Sequence, residues 1–455
     1  MTDDRIPPED HASPDAPTVA VVGLGYVGSC LAATLADRGS HVVGVDVDTA
    51  LVDELGAGVV RFAEQGLKDM VGRAVSAGRL RVTTDYTAVT AADVVVIAVG
   101  TPAHDDGSLD DRQLRGACLA LSGHLRKGQL IVVKSTVTPG TTRSLVASSL
   151  GSGGLRAGAD FLLAYSPERL AESTALAELR AFPIVVGGLD APSTRAAADF
   201  WRRALGVDVI EQDSLEAAEI VKLADNWWID LNIALANELA KFCALYEVDV
   251  LDVIEAANSI PKGSGHVNIL RPSAGVGGSC LTKDPWMVWR AARGHDVDLL
   301  TVPASRAVND GMPEHTARLI TDELTALGKD PAASTVAVLG VAFKNNTSDL
   351  RSSPARAVVR ALAAAGVRIR VHDPLVDTVQ AEELLNVRPS ATVDEAVRDA
   401  DCIAVLALHK EFEDIDFGAL AVADPCVVMD GRAYYSKEKI AVLRRLGYRY
   451  LGIGR

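Results

Sequence analysis

The chain has 455 residues, of which 48% are hydrophobic and 23% charged, and a formal net charge of −15. That length exceeds what one core supports, so two or three globular domains are expected. The acidic balance argues against nucleic acid and anionic membrane as partners, but leaves room for a small anionic ligand held in a local basic pocket.

Met1 to Pro17 is polar and acidic, with four prolines and no apolar core segment. Residues 1–17 are therefore expected to form a disordered tail, not a secretion signal. No apolar run reaches the length of a membrane span, so the protein is expected to be cytoplasmic. Cys30, Cys118, Cys243, Cys280, Cys402 and Cys426 are scattered, with no CxxC pair. They read as reduced thiols, and no metal site is expected.

A β-branched run, Thr18 to Val22, leads into Gly23-Leu24-Gly25-Tyr26-Val27-Gly28. A small-residue helix from Ser29 to Arg38 follows, closed by Gly39, and a second strand from His41 ends at Asp46. This is one strand-turn-helix-strand unit with the dinucleotide fingerprint. Gly23 makes the tight turn, Gly25 admits a pyrophosphate, and Gly28 lets helix pack on strand. The helix N-terminus offers its amides to phosphate. Asp46 suits ribose hydroxyls and repels a 2′-phosphate, which favours NAD over NADP. Further strands are expected at Asp93 to Val99 and Leu130 to Lys134. The turns after them, Gly100-Thr101-Pro102 and Ser135-Thr136-Val137, fall where doubly wound folds bind ligands.

Ser166-Pro167-Glu168-Arg169-Leu170-Ala171-Glu172 places two carboxylates four apart. One could serve as a base; an exposed charge pair is the simpler reading. From Leu215 to about Glu247 the chain has few breakers, and Ile220, Leu223, Trp227, Leu231, Ala234, Leu235 and Leu239 recur at helical spacing. This long helix suits either a second subunit or a plain core. Lys222 and Asn226, four apart, share one of its faces, and an ammonium beside an amide can hold a developing oxyanion.

Gly275 to Asp284 reads Gly-Val-Gly-Gly-Ser-Cys-Leu-Thr-Lys-Asp. Glycines around Cys280 clear space for close approach, and a nearby cation favours the nucleophilic thiolate. Gly328 to Ser334 reads as a linker. A second α/β pattern then begins with a strand from Thr335 to Gly340, a helix from Pro354 to Ala365 and a strand from Val367 ending at His372-Asp373. Later strands are expected at Cys402 to Leu408 and Cys426 to Met429. This half lacks the later fingerprint glycines, so it is expected to bind something other than a dinucleotide. Lys344, Arg351 and Arg432 are cations suited to a diphosphate.

Taken together, these blocks and their order resemble the UDP-glucose/GDP-mannose dehydrogenase family from Thr18 to the C-terminus. The resemblance implies an α/β protein with a Rossmann NAD domain at 18–212, a helical dimerisation region carrying the cysteine at 213–327, and a Rossmann-like nucleotide-sugar domain at 328–455. It implies a homodimer or higher oligomer, a nucleotide-diphospho-sugar substrate and NAD as cofactor. Cys280 would capture the sugar C6 aldehyde as a thiohemiacetal and carry it to a thioester. Lys222 and Asn226 would form the oxyanion pair, Asp284 would be the acid/base partner, Glu172 a second base and Thr136 a water holder. Gly23, Gly25, Tyr26, Val27, Gly28, Asp46, Thr101, Ser135, Thr136, Lys283 and Arg351 would meet the cofactor. Glu168, Arg169, Leu170, His266, Asn268, Gly277, Phe343, Lys344 and Arg432 would meet the substrate, with Lys222 and Asn226.

The substrate signals are mixed. Arg169 is typical of the branch acting on N-acetylated UDP-sugars, and His266 stands where that branch commonly has arginine. Leu170 to Ala175 and Ser279 to Asp284 follow the glucose branch. UDP-glucose or TDP-glucose is the first expectation, and UDP-N-acetylglucosamine or UDP-N-acetylmannosamine the alternative. A two-electron β-hydroxyacid dehydrogenase and a non-catalytic binding module are the competing functions. The first needs neither the cysteine nor a second α/β domain, and the second would show a degenerate site.

Overall fold

The computed structural model describes residues 17–263 and 265–455. The expected N-terminal tail, apart from Pro17, lies outside them. The chain forms two compact units, Met1–Ala224 and Asp225–Arg455.

The first unit is built on an eight-stranded sheet. Its strands are β1 (Thr18–Val22), β2 (His41–Val45), β3 (Leu80–Thr83), β4 (Val94–Ile97), β5 (Leu130–Val133), β6 (Leu162–Tyr165), β7 (Ile184–Gly188) and β8 (Val209–Gln212). They lie in the order β3-β2-β1-β4-β5-β6-β7-β8. The first six are parallel and follow the doubly wound dinucleotide order; β7 runs antiparallel to β6. The central strands are buried on both faces and read as continuous apolar runs, such as Val94-Val95-Val96-Ile97. One apolar cluster fills the face covered by the helices Tyr26–Asp37 and Ala191–Leu205, and another fills the opposite face. Strand order reverses between β1 and β4, so a crevice opens at their C-terminal ends.

In the second unit, a short hairpin of β9 (Pro261–Lys262) and β10 (Gly265–His266) precedes a five-stranded parallel sheet. That sheet comprises β11 (Thr335–Leu339), β12 (Arg368–His372), β13 (Cys402–Val405), β14 (Val427–Asp430) and β15 (Arg449–Gly452), in the order β12-β11-β13-β14-β15. One face packs against the helices Thr301–Ala326 and Pro354–Ala364 and the end of the long helix Leu215–Ala244, through Ala236, Ala240 and Cys243.

The long helix turns an unusual face inward. Glu219, Lys222, Asn226, Asp230 and Asn237 are buried, while Ile220, Trp228, Leu231, Leu235 and Phe242 are exposed. Three of the apolar positions whose spacing predicts the helix, Ile220, Leu231 and Leu235, thus belong to its outer face. Apart from Lys222, these buried polar groups find partners within the units. Glu219 accepts from the amides of Gly140 (2.6 Å) and Thr142 (2.9 Å). Asp230 pairs with Arg306 (2.6 Å) and accepts from Asn309 Nδ2 (2.8 Å). Asn237 joins Asn309 (2.9 Å) to the amide of Ser273 (2.8 Å).

Candidate active site

In the first unit, the fingerprint glycines have distinct physical reasons. Gly23 sits at φ +92°, and a side chain there would press on the Ala98–Val99 peptide at 2.8 Å. A β-carbon on Gly28 would lie 1.8 Å from the Gly23 carbonyl oxygen, so this position locks helix to turn. Gly25 is exposed, with no atom within 4 Å of where its β-carbon would be. It caps the helix Tyr26–Asp37 without any side-chain hydrogen bond, which leaves the first helical amides to a ligand. Open space over uncapped amides fits a dinucleotide pyrophosphate.

Asp46, at the end of β2, is half-buried; its carboxylate accepts from the amides of Leu24 (2.6 Å) and Asp48 (3.0 Å). These bonds fix the carboxylate beside the glycine turn and leave lone pairs for a ribose hydroxyl. Ser135 is buried, with its hydroxyl donating to the Val99 carbonyl (2.7 Å), and Thr101 is also buried. Thr136 is half-buried on the turn after β5.

Tyr26 reaches away from the turn. Its hydroxyl donates to Glu64 and accepts from the Ser173 amide (3.0 Å). Burial first, and then the Glu64 hydrogen bond, push its phenol well above the ordinary value. Glu64 also accepts from the Leu176 amide (3.2 Å), so one carboxylate ties the fingerprint helix to the 168–176 segment. Nothing in local sequence marks Glu64, whose partners lie far along the chain.

Glu168 differs from the exposed charge pair that local sequence suggests. It is 8% exposed, with Lys134 Nζ 3.3 Å from one oxygen and the Leu170 amide 2.6 Å from the other. Lys134 is itself buried, and its ammonium stands 5.4 Å from the centre of the Trp201 ring. Glu168 therefore shapes the 167–170 turn, whereas Glu172 is half-buried. Lys222 is 7% exposed and forms no hydrogen bond or ion pair among the described residues. Its nitrogen is not enclosed, so the ammonium is open to a ligand's oxygen.

In the second unit, Cys280 is the exposed cysteine; the other five are buried. It occupies a turn whose carbonyl accepts from the amides of Lys283 (3.1 Å) and Asp284 (2.8 Å), immediately before the helix Asp284–Arg293. Asp284 is fully buried, and its carboxylate accepts from Asn226 Nδ2 (2.5 Å) and from the Lys283 ammonium. Sequence spacing pairs Asn226 with Lys222; the fold adds Asp284 to the Asn226 amide, and Lys283 to the other oxygen of Asp284. On the N-terminal side of the cysteine, paired asparagine bonds hold the backbone. Asn232 joins the Asn268 carbonyl (2.7 Å) to the Leu270 amide (2.8 Å). Asn258 does the same to both backbone groups of Ile269 (3.0 and 2.7 Å). Sequence reading misses both clamps because their partners lie outside their own helices.

A cavity of about 390 Å³ opens at the C-terminal ends of β11 and β14. Gly277, Phe343, Lys344 and Arg432, all expected to meet substrate, line it together with Arg271, Asn345, Tyr434 and Leu281, the neighbour of Cys280. His266, Asn268 and Arg351 are not in its lining: His266 is exposed on the β9–β10 hairpin, and Arg351 pairs with Asp349 (2.5 Å). Arg432 donates to the Phe343 carbonyl (2.6 Å), which ties the two sides of the pocket. Gly278 sits at φ +88°, where a β-carbon would lie 2.8 Å from the Phe343 ring. The loop after β11 is braced from below. Asp373 accepts from the Val341 amide (2.7 Å) and from His409 Nε2 (3.0 Å), while His409 Nδ1 accepts from the Asn346 amide (2.8 Å). Asp373 thus repeats the Asp46 device at the end of the second strand, but buried and committed to structure. No group of metal-ligating side chains occurs among the described residues, nor any helix long and apolar enough to cross a membrane.

Comparison with known proteins covers most of the chain. Three models of the UDP-glucose/GDP-mannose dehydrogenase family match: the NAD binding domain over residues 17–205, the central domain over 216–311 and the UDP binding domain over 337–437. A UDP-N-acetyl-D-mannosamine dehydrogenase of Methanococcus maripaludis is 34% identical over 411 residues, 90% of each chain. Among solved structures, the UDP-D-ManNAc dehydrogenase from Pyrococcus horikoshii superposes with a TM-score of 0.86 at 30% identity, covering 96% of this chain and 99% of that one. A UDP-glucose dehydrogenase from Pyrobaculum islandicum gives a TM-score of 0.85 at 32% identity, covering 98% and 99%.

Proposed function

The chain belongs to the UDP-glucose/GDP-mannose dehydrogenase family, an NAD-dependent nucleotide-sugar dehydrogenase by its domains, and from that premise we propose that it oxidises the C6 alcohol of a UDP-N-acetylhexosamine, UDP-N-acetyl-D-mannosamine first among them, to the uronate. The observation that carries the chemistry is the exposed Cys280 beside the buried Asn226–Asp284–Lys283 cluster.

NAD supplies the hydride acceptor for both oxidations. The sugar alcohol loses a hydride and a proton to become an aldehyde. Cys280 sulfur adds to the aldehyde carbon, and the oxygen takes a proton, giving a thiohemiacetal. Loss of a second hydride and proton leaves a thioester, which water cleaves to the carboxylate and free thiol. Asn226 is buried and its amide is oriented by Asp284, so it can donate to the developing oxyanion without reorganising. Lys222, one turn earlier on the same helix face, supplies the charge. Asp284 holds a proton partner within the cluster for the hydrolytic water. Glu172 and Thr136 are assigned the second base and the water contact through family resemblance.

The sugar assignment moves from glucose, the first expectation, to the N-acetylated alternative. It rests on the names of the relatives and on Arg169. The exposed apolar face of the long helix, with Trp228, Leu231, Leu235 and Phe242, supports a homodimer. The test is NADH formation with UDP-N-acetylmannosamine, UDP-N-acetylglucosamine, UDP-glucose, TDP-glucose and GDP-mannose. The proposal expects the highest kcat/KM with an N-acetylated UDP-sugar and two NADH per sugar. A preference for UDP-glucose overturns the sugar assignment, and a single NADH overturns the four-electron chemistry.

A further inference from the structure

The cavity at the ends of β11 and β14 contains one amide whose orientation the fold dictates. Asn345 Oδ1 accepts from the Leu408 backbone amide (3.0 Å) and from the Tyr434 hydroxyl (2.6 Å). A backbone N–H can only donate, so the atom facing it must be the oxygen and not the nitrogen. The NH₂ group is thereby turned away from both partners, and it has no acceptor among the described residues. Asn345 is half-buried in the pocket lining, alongside Lys344 and Arg432. Tyr434 is buried enough that desolvation raises its phenol above the ordinary value, so its hydroxyl stays protonated and keeps donating. An oriented donor without an acceptor, on the wall of a cavity that also carries the cations Arg271, Lys344 and Arg432, is a recognition element for an oxygen.

We infer that Asn345 is a further substrate-binding residue: its amide, fixed by Tyr434 and Leu408, donates to an oxygen of the nucleotide diphosphate half of the substrate. The nucleotide half is favoured over the sugar because Asn345, Lys344, Arg432 and Tyr434 all belong to the segment matching a UDP binding domain. The inference rests on the reading that this pocket takes a nucleotide diphosphate.

The test uses Asn345→Asp in the full chain and UDP alone as ligand. A carboxylate still accepts from Leu408 and Tyr434, so the local bonds survive, but the donor is gone. Titration calorimetry should show UDP binding about 10-fold or more weaker than in the unaltered protein. Salt screens a half-buried carboxylate poorly, so Asn345→Ala, which removes the donor without adding charge, is titrated alongside. A loss in both variants supports the inference. UDP affinity of the alanine variant within twofold of the unaltered protein overturns it. Failure of the unaltered protein to bind UDP at all overturns both the inference and the reading beneath it. Because turnover is not measured, an error in the sugar assignment leaves the result intact.

Discussion

Replacing Asp284 by Asn tests the cluster beside Cys280 most sharply. The carboxylate is fully buried, with the Asn226 amide 2.5 Å from one oxygen and the Lys283 ammonium on the other. Asparagine keeps the volume and can still accept one hydrogen bond. It loses the negative charge, and a hydrogen bond to a charged group contributes about 1.5–3 kcal/mol. Lys283 is only 19% exposed, so its ammonium loses a partner with little water to replace it. The apparent unfolding midpoint should therefore fall measurably while the protein still folds. Loss of a positioned acid/base group typically costs 10²–10⁴-fold in rate, so kcat should fall by at least about 100-fold. The assay is steady-state NADH formation alongside thermal unfolding, with UDP binding as a control for the pocket. Wild-type kcat in a folded variant would refute the role given to Asp284. A loss confined to KM would make it a substrate contact instead.

Two glycine substitutions should separate fold from ligand binding. Gly25→Ala meets open space, so stability should hold while NAD affinity drops about 10-fold; Gly28→Ala would drive a methyl into the Gly23 carbonyl and should abolish folding, as circular dichroism can show. Asp373 offers a pH test. Burial alone would raise its carboxyl, but the His409 hydrogen bond and the Leu375 and Val341 amides outweigh it and hold it below the ordinary value. A depressed folded-state pKa gives stability that is present above the unfolded value, about 3.9, and lost as pH falls through the lower folded one. Unfolding midpoints measured on acidification should fall more steeply for the unaltered protein than for Asp373→Asn, and parallel curves would contradict this.

Much of the frame was legible because it is periodic or punctuated. The β1–turn–helix–β2 unit and the β11–helix–β12 unit announce themselves through β-branched runs and glycines, and the long helix through its lack of breakers. Hidden elements have physical causes. The helix Thr301–Ala326 carries Gly311 and Pro313, which read as breakers, yet packing of Val302, Met312 and Ile320 overrides them. Strand β8 ends in the polar pair Glu211, exposed, and Gln212, half-buried, so no apolar run marks it. Motif reading put forward Cys280, Lys222 and Asn226 as candidates. It could not find Glu64, Asn232, Asn258 or Tyr434, whose roles arise from partners far away in sequence.

The central claim is that Cys280 carries the sugar covalently. The direct measurement is intact-protein mass spectrometry on enzyme quenched during turnover of UDP-N-acetylmannosamine with NAD. The account predicts a species heavier by the oxidised nucleotide sugar, mapped to Cys280 and missing from Cys280→Ser. Full turnover by that serine variant, with no adduct on the unaltered enzyme, would contradict it.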